Sequence, residues 1–190
     1  MNELVQAAAE IQDFMQSRSW RFCFIGGFAL LRWGEPRFTQ DVDLTLFTGF
    51  GDEEKYVEAV FSRFSPRIKD PKEFALENRV LLVWLSGGVP ADIAMGGLPF
   101  EERMMERSSL FTFPEEQALR TCSAEDLIVM KAFADRTKDW ADVETVLVRQ
   151  AGNLDWRYIR KNLRFLCDAK GNVDILEHLE NLRRRTNGQG

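Results

Sequence analysis

A single histidine, three cysteines and no CxxC pairing leave this 190-residue chain little from which to build imidazole or thiolate chemistry. His178 lies between Glu177 and Glu180 near the carboxyl end, so serine or cysteine triads and multi-histidine metal centres have almost no material. Cys23, Cys122 and Cys167 are odd in number, widely spaced and set among apolar neighbours. That is the pattern of reduced core thiols, not of a disulfide framework or a zinc site. No apolar run approaches the roughly 18 to 20 residues that cross a bilayer. The amino-terminal stretch, with Glu3 and Glu10, has no basic-then-apolar layout of a secretion signal. The expectation is a soluble cytoplasmic protein with no membrane partner. A net charge of −5 argues against coating nucleic acid by bulk electrostatics, while leaving room for local basic patches. Catalysis, if present, must rest on carboxylates, Lys and Arg.

What the chain does have is core material: 45% hydrophobic residues and fifteen Phe suffice for one sizeable core, or a main domain with a small helical one. Leu4, Ala8, Ile11 and Met15 recur at helical spacing and predict an amphipathic helix over residues 3–16. Residues 22–25 read as a short buried strand, broken by Gly26-Gly27, with Phe28 to Trp33 helical behind it. A Gly- and Pro-containing loop leads to a strand over 41–47 and a helix over 52–64. Strands over 79–85 and 89–95 flank the turn Ser86-Gly87-Gly88 and pair antiparallel. Residues 101–107 read as a charged connecting segment, before strand-like runs at 110–113 and 118–121. Ser123-Ala124-Glu125-Asp126 then opens a helical region, with helices expected over 124–135, 138–149, 155–168 and 173–185. The expected class is α+β: a mixed sheet backed by helices over residues 1–121, then a helical bundle over 122–190.

The chemistry concentrates in two places that follow one another closely. Strand alternation puts Asp41, Asp43 and Thr45 on one face, and Val42, Leu44 and Leu46 on the other. An apolar strand has no packing reason to carry Asp twice, since an unpaired carboxylate taken out of water costs several kcal/mol. Alternate strand positions lie about 6.5 to 7 Å apart, which suits carboxylates sharing a pair of divalent cations. Asp92, on a neighbouring strand, supplies a third oxygen cluster. Mg²⁺ fits such a set, because it takes few protein carboxylates and completes its shell with water and substrate phosphates. The glycine pair ahead of a helix offers free backbone N–H groups to phosphate. In-line nucleotidyl transfer is the reaction these parts predict. Simpler uses exist for each: acids on an edge strand can be solvated, Gly26-Gly27 can be a tight turn, and Asp139 and Asp142 can serve a helix start.

Gly26-Gly27-Phe28-Ala29, Arg37-x-Thr39-x-Asp41-Val42-Asp43-Leu44, Ala91-Asp92-Ile93 and the motif running from Ser123 through Glu125, Asp126, Lys131, Arg136, Asp139 and Asp142 occur in that order. Together they resemble the DNA polymerase β-like nucleotidyltransferase superfamily over about residues 20 to 150, with the likeness greatest to minimal nucleotidyltransferases of the AbiEii toxin type. The resemblance implies a nucleotidyltransferase fold binding NTP and two Mg²⁺ ions. Gly26, Gly27, Arg37, Thr39 and Lys131 would meet the nucleotide, and Asp41, Asp43 and Asp92 the metals. Asp92 would act on the acceptor hydroxyl, and Asp139 would be the acid of the helical motif. That family often has Gly-Ser where this chain has Gly-Gly, so one hydroxyl is absent. An RNA end or a protein side chain would be the acceptor, and a cognate antitoxin the partner. Two alternatives stay open: a small-molecule enzyme, as the aminoglycoside and lincosamide nucleotidyltransferases share a similar layout, and a catalytically silent relative that binds nucleotide or a partner. Arg157, Arg160, Lys161 and Arg164 form a basic ribbon on one predicted helix, either solvated or facing an RNA backbone.

Overall fold

Leu4, Ala8, Ile11 and Met15 are all buried along one side of the first helix, α1 (Asn2–Ser17), as their spacing requires. The computed structural model describes residues 2–114, 117–171 and 174–187. These form two compact units. One comprises the described residues up to 28 together with 38–122, and the other 29–37 with those from 123 onward.

The first unit is built on a seven-stranded mixed sheet, in the order β3-β4-β5-β2-β1-β7-β6. The strands are β1 (Phe22–Phe24), β2 (Val42–Phe47), β3 (Ser65–Pro66), β4 (Val80–Trp84), β5 (Pro90–Gly96), β6 (Ser109–Thr112) and β7 (Ala118–Thr121). Helix α2 (Gly26–Trp33) starts on the glycine pair itself, one residue after β1, where the sequence suggested a break before Phe28. Strands β1 and β2 run antiparallel, β2 and β5 parallel, and β4 and β5 antiparallel, so β5 carries Asp92 to the position beside Asp43. One face of this region is apolar and closed: Val42, Leu44, Leu81, Val83, Ala91 and Ile93 are buried. Burying side chains of this size contributes on the order of 1.5 to 3 kcal/mol each, so the register is firmly held; a one-residue slip would turn this set outward.

Three elements of this unit went beyond the expected pattern. The acid-rich segment after residue 98 is a helix, α5 (Pro99–Arg107). Pro99 presets its first turn, and the Glu101 carboxylate accepts from the N–H groups of Gly97 at 2.7 Å and Leu98 at 2.8 Å, which satisfies its start. Helix α4 (Pro71–Asn78) likewise begins on a proline, while α3 (Glu53–Phe61) stops short of Phe64. Strand β3 is only two residues long, too short for any alternation to announce it.

The second unit is helical: α6 (Ala124–Ala134), α7 (Thr137–Arg149), α8 (Trp156–Lys170) and α9 (Asp174–Asn187). The expected start of the last helix at Val173 lies outside the described residues. Ser123 caps α6 by accepting from the Asp126 N–H, as the sequence pattern suggested. Leu127, Val143, Val146, Ile159, Leu163 and Leu179 are fully buried between these helices. Gly34 belongs to this unit: a side chain there would meet Leu30 and Thr145, and Arg149 donates to its carbonyl. On α8 the basic ribbon is solvent-facing, although Arg160 is paired with Glu180 at 2.5 and 3.2 Å, leaving Arg157, Lys161 and Arg164 as its exposed cations.

Candidate active site

In the first unit, Asp43 and Asp92 are direct partners across β2 and β5. Their side chains therefore leave the sheet on the same, more open face, on strands about 4.8 Å apart. Asp41 is exposed just before β2, and its Oδ1 accepts from the Thr39 hydroxyl at 2.9 Å. Gly26 has a φ of +50°, which a side chain would strain, and an added Cβ there would lie 2.0 Å from Asp43 Oδ2. The first turn of α2 thus passes directly over the Asp43 carboxylate, where the positive end of the helix suits negative charge. At Gly27 an added Cβ would lie 2.5 Å from Thr39 Oγ1. The Thr39 hydroxyl thus packs against the backbone of the glycine pair.

Asp92 has a partner that the sequence did not suggest. Arg67 follows β3, its N–H donating to the Leu82 carbonyl at 2.9 Å, and its Nη1 donates to Asp92 Oδ1. Leu82 is in turn the register partner of Asp92. Arg67, Leu82, Asp92 and Asp43 therefore stand in one row across the sheet. Nothing in the local sequence marks Arg67, because the strand that brings it there is too short to read. Two surface hollows of the first unit lie elsewhere. One, of about 370 Å³, is lined by residues that include Trp20, Arg21 and Glu106, and the other, of about 480 Å³, by residues 70–73 and 76.

The remaining candidates gather in the second unit. Lys131 is 7% exposed and donates to Asp139 Oδ1 at 3.1 Å and to Asp142 Oδ2 at 2.6 Å. Arg37 grips Asp142 with two bonds of 3.0 and 3.1 Å, and Arg136 donates to Asp139 Oδ2. Three cations thus surround two carboxylates, with Arg37 and Arg136 reaching solvent. Burial alone would raise the Asp139 carboxyl, but the hydrogen bonds from Arg136 and Lys131 outweigh it and hold the group below the usual range.

A pattern describing the family "Nucleotidyl transferase AbiEii toxin, Type IV TA system" matches residues 18–188. The chain belongs to this family. The AbiEii-family chain also has the fold of solved nucleotidyltransferase structures. It is similar to an antigenic nucleotidyltransferase-like protein from Paracoccidioides brasiliensis, at 14% identity and a TM-score of 0.57, over 93% of each chain. It is similar as well to the lincosamide antibiotic adenylyltransferase LnuA bound to lincomycin, at 12% identity and a TM-score of 0.50, over 74% of this chain and 94% of that one. No curated protein matches it. The chain is a nucleotidyltransferase with an α+β architecture, and no helix among its described residues is long and apolar enough to cross a membrane.

The acidic row of this nucleotidyltransferase can be tested against the metal expected of it. Its donors are all hard carboxylate oxygens, the chemistry that Mg²⁺ prefers. Among the described residues, however, no three His, Cys, Asp or Glu side chains are gathered closely enough to hold a metal ion. The protein supplies its own donors instead: Arg67 to Asp92, and the Thr39 hydroxyl to Asp41. The residue types fit the group, with Asp43 and Asp92 placed side by side.

The lowered Asp139 gives the nucleotidyltransferase an acid-sensitive element. A carboxyl whose folded value is depressed adds stability that is fully present above its ordinary value, about 4. That stability is lost as pH falls through the lower folded value. Urea unfolding at a series of pH values from neutral down to about 3 should show this loss in the wild type and a shallower one in Asp139→Asn. Equal slopes would remove Asp139 as its source.

Proposed function

We propose that this nucleotidyltransferase moves a nucleoside monophosphate from an NTP to an acceptor hydroxyl, and that the acceptor is the end of an RNA. The supporting observation is that Asp43 stands beside Asp92 and directly under the glycine-paired start of α2. Carboxylates and phosphate-binding N–H groups thereby share one location. Asp43 and Asp92, side by side, would hold Mg²⁺ with triphosphate oxygens and water completing its shell, while Asp41 lies just before β2 and does not close a three-acid cluster with them; the metal when bound neutralises triphosphate charge and lowers the pKa of an incoming hydroxyl. The backbone N–H groups of Gly26 and Gly27 bind the phosphates, beside the Thr39 hydroxyl that donates to Asp41. The acceptor oxygen forms a bond to the α-phosphorus as the bond from that phosphorus to the bridging β-phosphate oxygen breaks, and pyrophosphate leaves. The hydroxyl proton passes to Asp92, whose Oδ1 is held by Arg67 while Oδ2 has no partner among the described residues.

Arg37, Lys131 and Asp139 form their own cluster in the second unit, with one net positive charge that attracts a polyphosphate. There Arg37 is the exposed cation that would meet a nucleotide phosphate, while Lys131 and Asp139 lie in the interior and fix the charges around them. The exposed Arg157, Lys161 and Arg164 suit an RNA backbone. The family description, a toxin of a Type IV TA system, supports a toxin role with a cognate antitoxin as partner.

The test is incubation with each α-labelled NTP and Mg²⁺, with total RNA, total protein and small molecules supplied as separate fractions. Label from an NTP should appear in RNA. Label only in the small-molecule or protein fraction would overturn the acceptor. No label at all, with a nonhydrolysable NTP still bound, would identify a silent relative.

A further inference from the structure

The row that ends in Asp43 and Asp92 continues outward into a surface with a composition of its own. Trp84 lies two residues beyond Leu82 on β4, so its indole shares the face that bears Asp92. It is 44% exposed, which is unusual for so large an apolar ring. Pro90, its register partner, and Leu82 are half-buried and floor the space between the ring and the carboxylates. The Arg67 guanidinium lies 5.6 Å from the ring centre. Of its donor nitrogens, Nη1 is engaged by Asp92 Oδ1 and the Ala91 carbonyl, whereas Nε and Nη2 meet no acceptor among the described residues. An exposed indole, an apolar floor and a cation with spare donors thus border the proposed proton acceptor, at a diagonal spacing of about 7 to 8 Å.

We propose that Trp84 and Arg67 form the acceptor subsite, the indole stacking on the terminal base of the RNA and the free guanidinium nitrogens holding the adjoining phosphate. This rests on the transfer reading above. An aromatic ring stacks on any base, and a guanidinium binds phosphate bidentately. The subsite lies on the side of Asp92 away from Asp43, and it leaves the triphosphate to the glycine pair. The apolar floor excludes water from beneath the stacked base.

The experiment uses the full chain with a fluorescein-labelled single-stranded RNA oligonucleotide ending in a free 3′ hydroxyl, read by anisotropy. Binding of a nonhydrolysable NTP with Mg²⁺ is read in parallel by calorimetry. Trp84→Ala should weaken the oligonucleotide about ten- to a hundredfold and leave NTP affinity unchanged, and Trp84→Phe should restore most of the loss. An oligonucleotide whose terminal base is missing should bind the wild type as weakly as the intact one binds Trp84→Ala. Arg67→Gln should lower the salt dependence of RNA binding by about one ion. Unchanged RNA affinity in Trp84→Ala, no RNA binding by the wild type, or a loss of NTP affinity instead would each overturn the subsite. RNA binding that depends on Trp84 without any transfer to that RNA would sustain the subsite and overturn the transfer reading alone.

Discussion

Asp43→Asn should lower nucleotidyl transfer about a thousandfold or more, equivalent to roughly 4 kcal/mol of transition-state stabilisation, in a protein that stays folded. The amide keeps the shape that fits under Gly26, where an added Cβ would come within 2.0 Å of Asp43 Oδ2, so the start of α2 has no reason to move. What changes is charge. Asp43 stands beside Asp92 in the ladder, and two neighbouring carboxylates repel each other until something positive comes between them. With Arg67 already on Asp92 and the amide filling the same space, the melting temperature should change little while turnover collapses. Loss of activity without loss of stability marks a group kept for chemistry, since a structural residue would lose both. Turnover by initial rates with labelled NTP and thermal unfolding by circular dichroism are the two measurements. Transfer close to the wild-type rate would remove Asp43 from the reaction.

Lys131→Met should produce the largest loss of stability, on the order of 3 to 5 kcal/mol. The ammonium is 7% exposed and binds both Asp139 and Asp142, so its removal leaves each interior carboxylate with a single, partly exposed arginine. Arg37 and Arg136 cannot make up the difference, because each reaches only one of the two and lies partly in water. Thermal unfolding should drop by about 10 °C for a chain of this size, and Lys131→Met combined with Asp139→Asn should recover part of it, since one of the two carboxylate charges is gone. A drop too small to measure would mean that the two arginines neutralise the acids without Lys131. A matching loss with no recovery in the double variant would assign the effect to packing of the lysine stem.

Much of this architecture could be read from side-chain spacing. The strand carrying Asp43, the hairpin carrying Asp92 and the helices from Ser123 onward all show their periodicity, because burial on one face imposes it. Alternation alone led to an expectation of Asp41 and Asp43 together on one strand, whereas β2 begins at Val42, and the parallel pairing with β5 that sets Asp43 beside Asp92 is a tertiary contact that spacing does not show. The helix over Pro99–Arg107 was missed because its acids drew attention to charge, although Pro99 and Glu101 sit where a helix start needs them. Arg67 and the pairing of Lys131 with two acids were not legible at all. Contacts across 25 residues in sequence for Arg67 with Asp92, or the choice of Asp142 as well as Asp139 by one lysine, are decided by tertiary packing and leave no local trace.

The close approach of Gly27 to Thr39 carries a consequence for how this lineage can drift. A side chain at position 27 would need the space that the threonine hydroxyl fills, 2.5 Å from where its first carbon would stand. Neither position can therefore change first without cost: serine at 27 requires the neighbour to have shrunk already, and a shrunken neighbour beside glycine leaves a hole. The two sites are tied epistatically, and because the Thr39 Cβ also lies 2.8 Å from the added carbon, a saturation library should find Gly27→Ser tolerated chiefly in backgrounds that also carry Thr39→Gly.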